Sequence, residues 1–219
     1  MIIPAWLFNN ALWLHGTGII MVLLALATGA LVWWRPGIWL VLGLFAFSLY
    51  FFRVPQRTCL QAHNDPSILI CPADGRVVDV AYDHTNGFDG YAWKVAIFLS
   101  PLDVHVNWLP TTGDISRIVY RPGTFTPAFV PKSSVLNERN DVHMRTFNGR
   151  TLIVRQIAGA VARRIMCWVQ EGDHKQAGQL YGMIRFGSRV ELLLPSSVTI
   201  EVGVGQRVYG GQTVLGRWI

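Results

Sequence analysis

The sequence predicts a β-rich α+β fold with mixed or antiparallel sheets and barrel-sandwich-like elements, preceded by an N-terminal membrane helical hairpin. Three observations predict it. Residues 1–52 carry a single formal charge, Arg35, while all thirteen acidic residues lie beyond residue 53. From there on the chain reads as short runs of β-formers punctuated by turn dipeptides. Its end spaces single β residues with glycines, in Val202-Gly203-Val204-Gly205 and again around Gly210-Gly211 and Gly216.

Composition narrows the class. The chain has 219 residues, 51% hydrophobic and only 15% charged, with a mean hydropathy of +0.32, so it is neither disordered nor a large multidomain assembly. Nineteen Lys and Arg against thirteen Asp and Glu give a net charge of +6. All but Lys94, Lys132 and Lys175 of those cations are Arg, whose planar fork suits phosphate and carboxylate, and the partner is therefore expected to be anionic. Cys59, Cys71 and Cys167 are far apart and form no CxxC pair, and no two histidines have metal-binding spacing. No disulfide framework or metal site is indicated.

The elements follow in order. Ala11 to Trp34 holds no Lys, Arg, Asp or Glu and, as a helix rising about 1.5 Å per residue, would cover the roughly 30 Å hydrocarbon core of a bilayer. After a turn at Arg35, Pro36 and Gly37, the second arm is Ile38 to Phe52. Arg53 and Arg57 outnumber Arg35, which by the positive-inside rule places the main domain on the cytoplasmic side of the cell membrane. The expected domains are thus 1–52 and 53–219. In the second, strands are expected at Ile68 to Cys71, Val77 to Ala81, Trp93 to Leu99, Ile115 to Tyr120, Thr151 to Ile157, Gly182 to Phe186, Val190 to Leu194 and Val198 to Val202. Val161 to Gln170 reads as strand because Val, Ile and Trp dominate it. Asp74-Gly75, Asn86-Gly87, Asp89-Gly90 and Asn148-Gly149 mark turns. Pro122 to Asn140 has no period and reads as a long loop of the kind that forms lids.

Three short stretches could carry chemistry. Ser188 stands in Arg185-Phe186-Gly187-Ser188-Arg189, on a short connection between two β runs; alone, it is an ordinary turn serine, and the GxSxG elbow of a hydrolase is absent. Asp103 and His105, two apart in Ser100-Pro101-Leu102-Asp103-Val104-His105-Val106-Asn107, would project to one face of an extended segment. Asp74, in Cys71-Pro72-Ala73-Asp74-Gly75, alone reads as a turn aspartate.

Together these stretches resemble the phosphatidylserine decarboxylase proenzyme family in its short form. The resemblance runs in family order through Phe51-Phe52-Arg53-Val54-Pro55, Pro72-Ala73-Asp74-Gly75, Phe98 to Asn107, Asn137-Glu138-Arg139-Asn140, Gly159 to Ile165 and Arg185-Phe186-Gly187-Ser188-Arg189, about three quarters of the chain. Val54 replaces a common acidic residue, and Trp108 stands where long members have a second histidine, which moves any histidine role onto His105.

The resemblance implies self-cleavage between Gly187 and Ser188. Ser188 Oγ would attack the Gly187 carbonyl, an acyl shift would give an ester, and β-elimination would leave residues 1–187 as a β chain and 188–219 as an α chain, held together as a heterodimer. Ser188 would become a covalent pyruvoyl cofactor. His105 with Asp74 or Asp103 would serve the serine, and the carboxylate that orients the imidazole stays open. The implied substrate is phosphatidylserine in the membrane, decarboxylated to phosphatidylethanolamine without pyridoxal phosphate, His105 protonating the carbanion. Arg139, Arg163, Arg164, Arg185 and Arg189 are candidates for the lipid phosphate or substrate carboxylate. A homo-oligomer is common among relatives.

Two other classes compete. A membrane-anchored barrel-sandwich adaptor, similar to lipoyl or biotinyl carriers, would explain the hairpin and the glycine-spaced end but leaves Asp74, His105 and Ser188 without a purpose, and no lysine has a carrier setting. A nucleic-acid module would explain the charge, but no RNP-like strand or helix-turn-helix pattern appears, so no nucleic acid is expected.

Overall fold

The computed structural model describes residues 20–21, 23–29, 35–124, 136–159, 164–185 and 188–219. The chain divides into two compact units, Met1–Arg53 and Val54–Ile219.

In the first unit residues 20–21 and 23–29 are helical, and α1 spans Arg35–Phe51. The turn expected at Arg35, Pro36 and Gly37 instead opens this helix, because proline in a first turn gives up no helical hydrogen bond and arrives with a helical φ. Apart from its first residue α1 is uncharged, and it exposes Trp39, Leu40, Leu42, Leu44, Leu49 and Tyr50. Its 17 residues extend about 26 Å, and among the described residues no helix is long and apolar enough to cross a membrane. The first expected arm, Ala11 to Trp34, falls mostly outside the described residues.

The second unit is β-rich, with one short helix, α2 (Leu60–Asn64), and every strand pair in its sheets is antiparallel. In chain order the strands are β1 (Ile68–Ile70), β2 (Gly75–Tyr82), β3 (Trp93–Leu99), β4 (Val106–Trp108), β5 (Gly113–Arg121), β6 (Arg139–Arg145), β7 (Thr151–Ile157), β8 (Ile165–Cys167), β9 (His174–Lys175), β10 (Leu180–Ile184), β11 (Ser188–Leu194), β12 (Val198–Ile200), β13 (Arg207–Val208) and β14 (Val214–Trp218). An eight-stranded sheet runs β13-β2-β3-β11-β7-β6-β5-β9, beside two three-stranded sheets, β4-β10-β8 and β1-β14-β12.

The core follows from the period-two pleat. Val142, Val154, Val190, Leu192, Val95, Ile97 and Val77 of the large sheet join Leu69, Tyr181, Ile184, Val198 and Leu215 of the small sheets in one buried cluster. β11 is buried along its whole length, which is why Arg189-Val190-Glu191-Leu192-Leu193-Leu194 shows no clean alternation: it lies inside the sheet and is covered on both faces.

Most expected strands are present, and the differences have physical reasons. β6 lies where Pro122 to Asn140 was expected to be loop and beyond it; Arg139, Asn140, Asp141 and His143 break its hydrophobic pattern, the first three are buried, and Asn140 and Asp141 have cross-strand partners on β7. Residues 125–135 of that expected lid lie outside the described residues. In Val161 to Gln170 only Ile165–Cys167 is strand, with residues 160–163 outside the description. β11 begins at Ser188, two residues before the expected start. Asn86 and Asp89 adopt left-handed φ values of 55° and 52° and Gly149 one of 75°, as their turn dipeptides require, whereas Gly75 opens β2 itself. A Cβ on Gly75 would lie 2.1 Å from the Phe98 carbonyl oxygen, so only glycine lets the start of β2 press this closely on β3.

Candidate active site

Two strand pairs meet at the candidate site. β3 and β11 pair up to Leu99 opposite Ser188, and β4 and β10 pair from Val106 opposite Met183, extended by Ile184 N–H donating to the His105 carbonyl at 3.2 Å. The chain thus leaves β3 for β4 through residues 100–104 and leaves β10 for β11 through residues 185–187. His105 and Ser188 stand at the two ends of this break in the pairing.

Ser188 is not on a connection, as its Gly-Ser setting suggested, but is the first residue of an interior strand and fully buried. Its Oγ has no hydrogen-bond partner among the described residues. A buried hydroxyl without a partner costs on the order of 1 to 3 kcal/mol, and a fold that retains one at a strand terminus points to chemistry there.

His105 is fully buried. Its Nδ1 lies 2.8 Å from the main-chain carbonyl oxygen of Asp103; a carbonyl only accepts, so Nδ1 donates and Nε2 is the basic nitrogen of the neutral ring. This differs from the expected alignment of two side chains on an extended segment. Asp103 lies in a turn, its N–H donating to the Ser100 carbonyl at 2.9 Å, while its Oδ2 accepts the Ser100 N–H at 2.7 Å and its Oδ1 pairs with Arg207 of β13. Asp103 therefore meets the imidazole through its backbone, and its carboxylate fixes the turn that makes this possible.

Asp74, 3% exposed, immediately precedes β2. Arg57 grips it with both terminal nitrogens, Nη2 donating to Oδ2 at 3.0 Å and Nη1 to Oδ1, and Gly210 N–H donates to Oδ1 at 2.8 Å. The Arg57 guanidinium lies 5.1 Å from the Trp108 ring and 5.9 Å from that of Tyr209. Trp108, in place of a histidine, thus supports the partner of Asp74, and Gly210 and Gly211 are needed because a Cβ on either would press into its indole. β2 and β11 flank β3 on opposite sides, so Asp74 and Ser188 occupy the same end of the sheet with the end of β3 between them.

Sequence reading missed an adjoining polar ladder. Asn140 Nδ2 donates to Gln156 Oε1 at 3.2 Å, and Gln156 Nε2 donates to Asn107 Oδ1 at 2.9 Å; all three residues are buried. Only Asn107 and Asn140 stood in recognisable motifs. Arg57 and Arg207, the partners of the two aspartates, were equally illegible, because their contacts join segments 17 and 104 residues apart.

Of the candidate anion-binding arginines, Arg189 is buried and ion-paired with Glu191, Nε to Oε1 at 2.8 Å, and Arg163 lies outside the described residues. Burial, and then the neighbouring charge of Arg164, hold Arg185 below the usual guanidinium range.

The fold and this site define a class: an antiparallel β domain with a buried serine heading an interior strand, one aspartate at the same sheet end and a histidine and a second aspartate on the connection between β3 and β4, unlike a hydrolase with its serine exposed on a strand-to-helix elbow. Residues 44–216 match the family model described as phosphatidylserine decarboxylase, and the chain belongs to that family. It is 47% identical over 200 residues to the phosphatidylserine decarboxylase proenzyme of Gluconacetobacter diazotrophicus, covering 88% of this chain and 87% of that protein. The proenzyme of Salinibacter ruber is 46% identical over 194 residues, covering 88% and 85%, and that of Carboxydothermus hydrogenoformans 44% identical over 218 residues, covering 98% and 97%.

Proposed function

We propose that this chain cuts itself between Gly187 and Ser188 and that the resulting protein decarboxylates phosphatidylserine to phosphatidylethanolamine and carbon dioxide. The observation that carries the reading is Ser188, buried at the head of an interior strand with a hydroxyl that has no partner among the described residues, in a chain of this family. An Oγ so enclosed has its own backbone for a neighbour, and the carbonyl bonded to its nitrogen is that of Gly187.

His105 Nε2 accepts the proton of Ser188 Oγ, and the oxygen forms a bond to the Gly187 carbonyl carbon as the π pair moves onto the carbonyl oxygen. Collapse breaks the Gly187 C to Ser188 N bond; the nitrogen takes up a proton and an ester remains. Removal of the Ser188 α-proton then expels the Gly187 carboxylate, separating residues 1–187 from 188–219 and leaving dehydroalanine, whose imine tautomer takes up water and releases ammonia to give a pyruvoyl group at position 188. The buried polar end of the sheet fits such a ketone-bearing group, which is no larger than the buried serine it replaces; Oγ departs with the Gly187 carboxylate, and the ketone oxygen comes from water. When formed, the pyruvoyl group supplies an electron sink for the pair released as carbon dioxide departs.

The protein's own groups do the rest. The Asp103 carbonyl keeps a proton on Nδ1 and the basic site on Nε2, and Arg207 holds the Asp103 carboxylate in its turn. Asp74, gripped by Arg57, stands at the same sheet end as Ser188, with the end of β3 between them. In the mature protein the proton taken up by His105 is placed to quench the carbanion. Arg164 and Arg185, two close cations, attract an anionic head group.

The substrate's acyl chains remain in the bilayer, and the N-terminal segment suits that setting. Its uncharged stretch from Ala11 to Trp34 and the apolar exterior of α1 support a membrane hairpin, with the β domain on the cytoplasmic side of the cell membrane. The barrel-sandwich likeness is confined to local strand geometry, as in the pairing of β13 with β2.

The test is carbon dioxide release from phosphatidylserine vesicles by the purified full-length protein, beside His105→Ala. The wild type releases it and forms phosphatidylethanolamine; the variant is cleaved slowly or not at all and is inactive in proportion. A cleaved wild type without turnover overturns the substrate assignment, and normal cleavage and turnover in the variant overturn the role of His105.

A further inference from the structure

We infer that Asn107 is a catalytic residue of the self-cleavage, its side-chain N–H donating to the Gly187 carbonyl oxygen as that oxygen becomes negative. The inference rests on the serinolysis proposed above and names a group that it left without a donor.

Polarity within the Asn140, Gln156 and Asn107 ladder is fixed by the backbone. Gln156 Nε2 approaches the Met166 carbonyl oxygen at 3.5 Å as well as Asn107 Oδ1 at 2.9 Å, and a main-chain carbonyl can only accept. Gln156 therefore presents its NH2 group on this side and its oxygen to Asn140 Nδ2, at 3.2 Å. Asn107 must in turn present its oxygen to Gln156, which leaves its own NH2 directed elsewhere. That Nδ2 is buried and has no partner among the described residues, on a side chain with no exposed surface. An asparagine kept only for packing would have both ends of its amide satisfied.

The ladder is also built into the sheet. Gln156 passes over Gly182 of β10, where a Cβ would lie 2.7 Å from Gln156 Nε2 and 2.3 Å from the Met166 carbonyl oxygen, so any other residue at 182 would push the glutamine off its partners. Asn107 lies opposite this Gly182 in the β4 and β10 pairing.

Register sets Gln156, the residue on which the donor rests, diagonal to the serine. Val190 is opposite Gln156 and Arg189 opposite Ile157, so Ser188, one step further, has Gln156 as a diagonal neighbour on the same face, at about 7 to 8 Å between backbones. Asn107 rests on that glutamine. His105, two residues before Asn107, shares its face by the alternation of extended chain. The same end of the core thus holds a hydroxyl to attack, an imidazole to accept its proton and an N–H with nothing yet to bind.

In the step concerned, Ser188 Oγ–H passes its proton to His105 and its electron pair to the carbonyl carbon, the carbonyl π pair becomes the oxyanion, and the Asn107 N–H stabilises it until the C–N bond breaks. A preoriented amide donor is worth on the order of a hundredfold or more in rate.

The test follows cleavage of the full-length chain by gel and intact mass in wild type, Asn107→Asp and Gln156→Glu, with hydroxylamine as a probe for the ester and circular dichroism melting for fold. Asn107→Asp keeps an oxygen for Gln156 but replaces the donor by an acceptor; Gln156→Glu removes the NH2 group that orients Asn107. Both variants are expected to melt cooperatively and cleave at least about a hundredfold more slowly, with no acceleration by hydroxylamine, since the block precedes the ester. Folded variants that cleave at the wild-type rate overturn the inference and leave the serinolysis proposal standing. So does an ester that accumulates and is released by hydroxylamine, which would place Asn107 after the acyl shift. If Asn107→Asp fails to fold, Gln156→Glu alone decides by the same readouts, and loss of folding in both would mean a structural ladder and overturn the inference. A wild-type chain that never cleaves removes both proposals together.

Discussion

Strands β6, β7 and β11 carry two buried polar clusters, one register step apart and on opposite faces. In one row Arg155 of β7 lies between Asp141 of β6 and Glu191 of β11. Its Nε and Nη2 donate to Asp141 at 2.6 and 2.8 Å, Nη2 also reaches Asp89 at 2.5 Å, and Nη1 is 3.9 Å from Glu191. Burial works to lower the pKa of Arg155, but its bonds to Asp141 and Asp89 outweigh that and raise it. In the next row, Gln156 lies between Asn140 and Val190, and there the polar chain ends in an amide nitrogen that, like the Ser188 hydroxyl, has no partner among the described residues. The first cluster is an ion-pair network, with Arg155 and Arg189 set among Asp141, Asp89 and Glu191. The second has donor and nucleophile left over, as a site needs before its substrate or intermediate exists. Burial of polar groups alone separates neither case; what separates them is that the first sets its carboxylates against cations, while the second leaves an uncharged amide donor and a hydroxyl without a partner among the described residues.

The largest expected effect lies at the charged cluster. Arg155→Leu leaves Asp141 buried without its cation, while Glu191 keeps Arg189, and is expected to cost about 3 to 5 kcal/mol of stability, read as a loss of roughly 10 °C in melting temperature. Below its melting point the variant should still cleave after Gly187 within about twofold of the wild-type rate, the scatter expected of a distant substitution. A folded variant with abolished cleavage would show that the two faces are one functional unit and break the comparison.

A smaller effect sharpens it. The hydrogen bond from Arg155 holds the half-exposed Asp89 below the usual carboxylate range. A depressed folded pKa contributes stability that is present above the unfolded value, about 3.9, and is lost as pH falls through the folded value. Wild type should therefore melt slightly above Asp89→Asn at pH 6, and the two should converge toward pH 2. A difference that persists unchanged at pH 2 would assign the contribution of Asp89 to something other than its charge.

Much of the β domain was legible because hydrophobic runs and turn dipeptides report local geometry: Trp93 to Leu99 and Thr151 to Ile157 match β3 and β7 end to end. β6 was not, because Asn140 and Asp141 are buried by pairing with residues of β7 rather than by being apolar, and that pairing is invisible before the sheet is formed. The site was legible as a set of motifs, Asp74, His105 and Ser188, but not as a geometry. Asp103 looked like the imidazole's carboxylate partner, yet a turn at Ser100 directs its carboxylate to Arg207 and its carbonyl to the ring. Arg57 read only as a charge following an apolar segment, and nothing near it in sequence announces Asp74. The donor role of Asn107 depends on the Met166 carbonyl orienting Gln156, a constraint that no local pattern encodes.

The central claim is that the unpartnered Ser188 hydroxyl is spent on the chain itself, and intact mass spectrometry of the full-length protein beside Ser188→Ala tests it most directly. The account predicts two wild-type fragments, 1–187 and 188–219, the second lighter by the difference between a serine and a pyruvoyl terminus and closed to Edman degradation, with the alanine variant remaining one chain. A wild-type protein that stays whole in membranes, or a Ser188→Ala variant cut at the same bond, would contradict it.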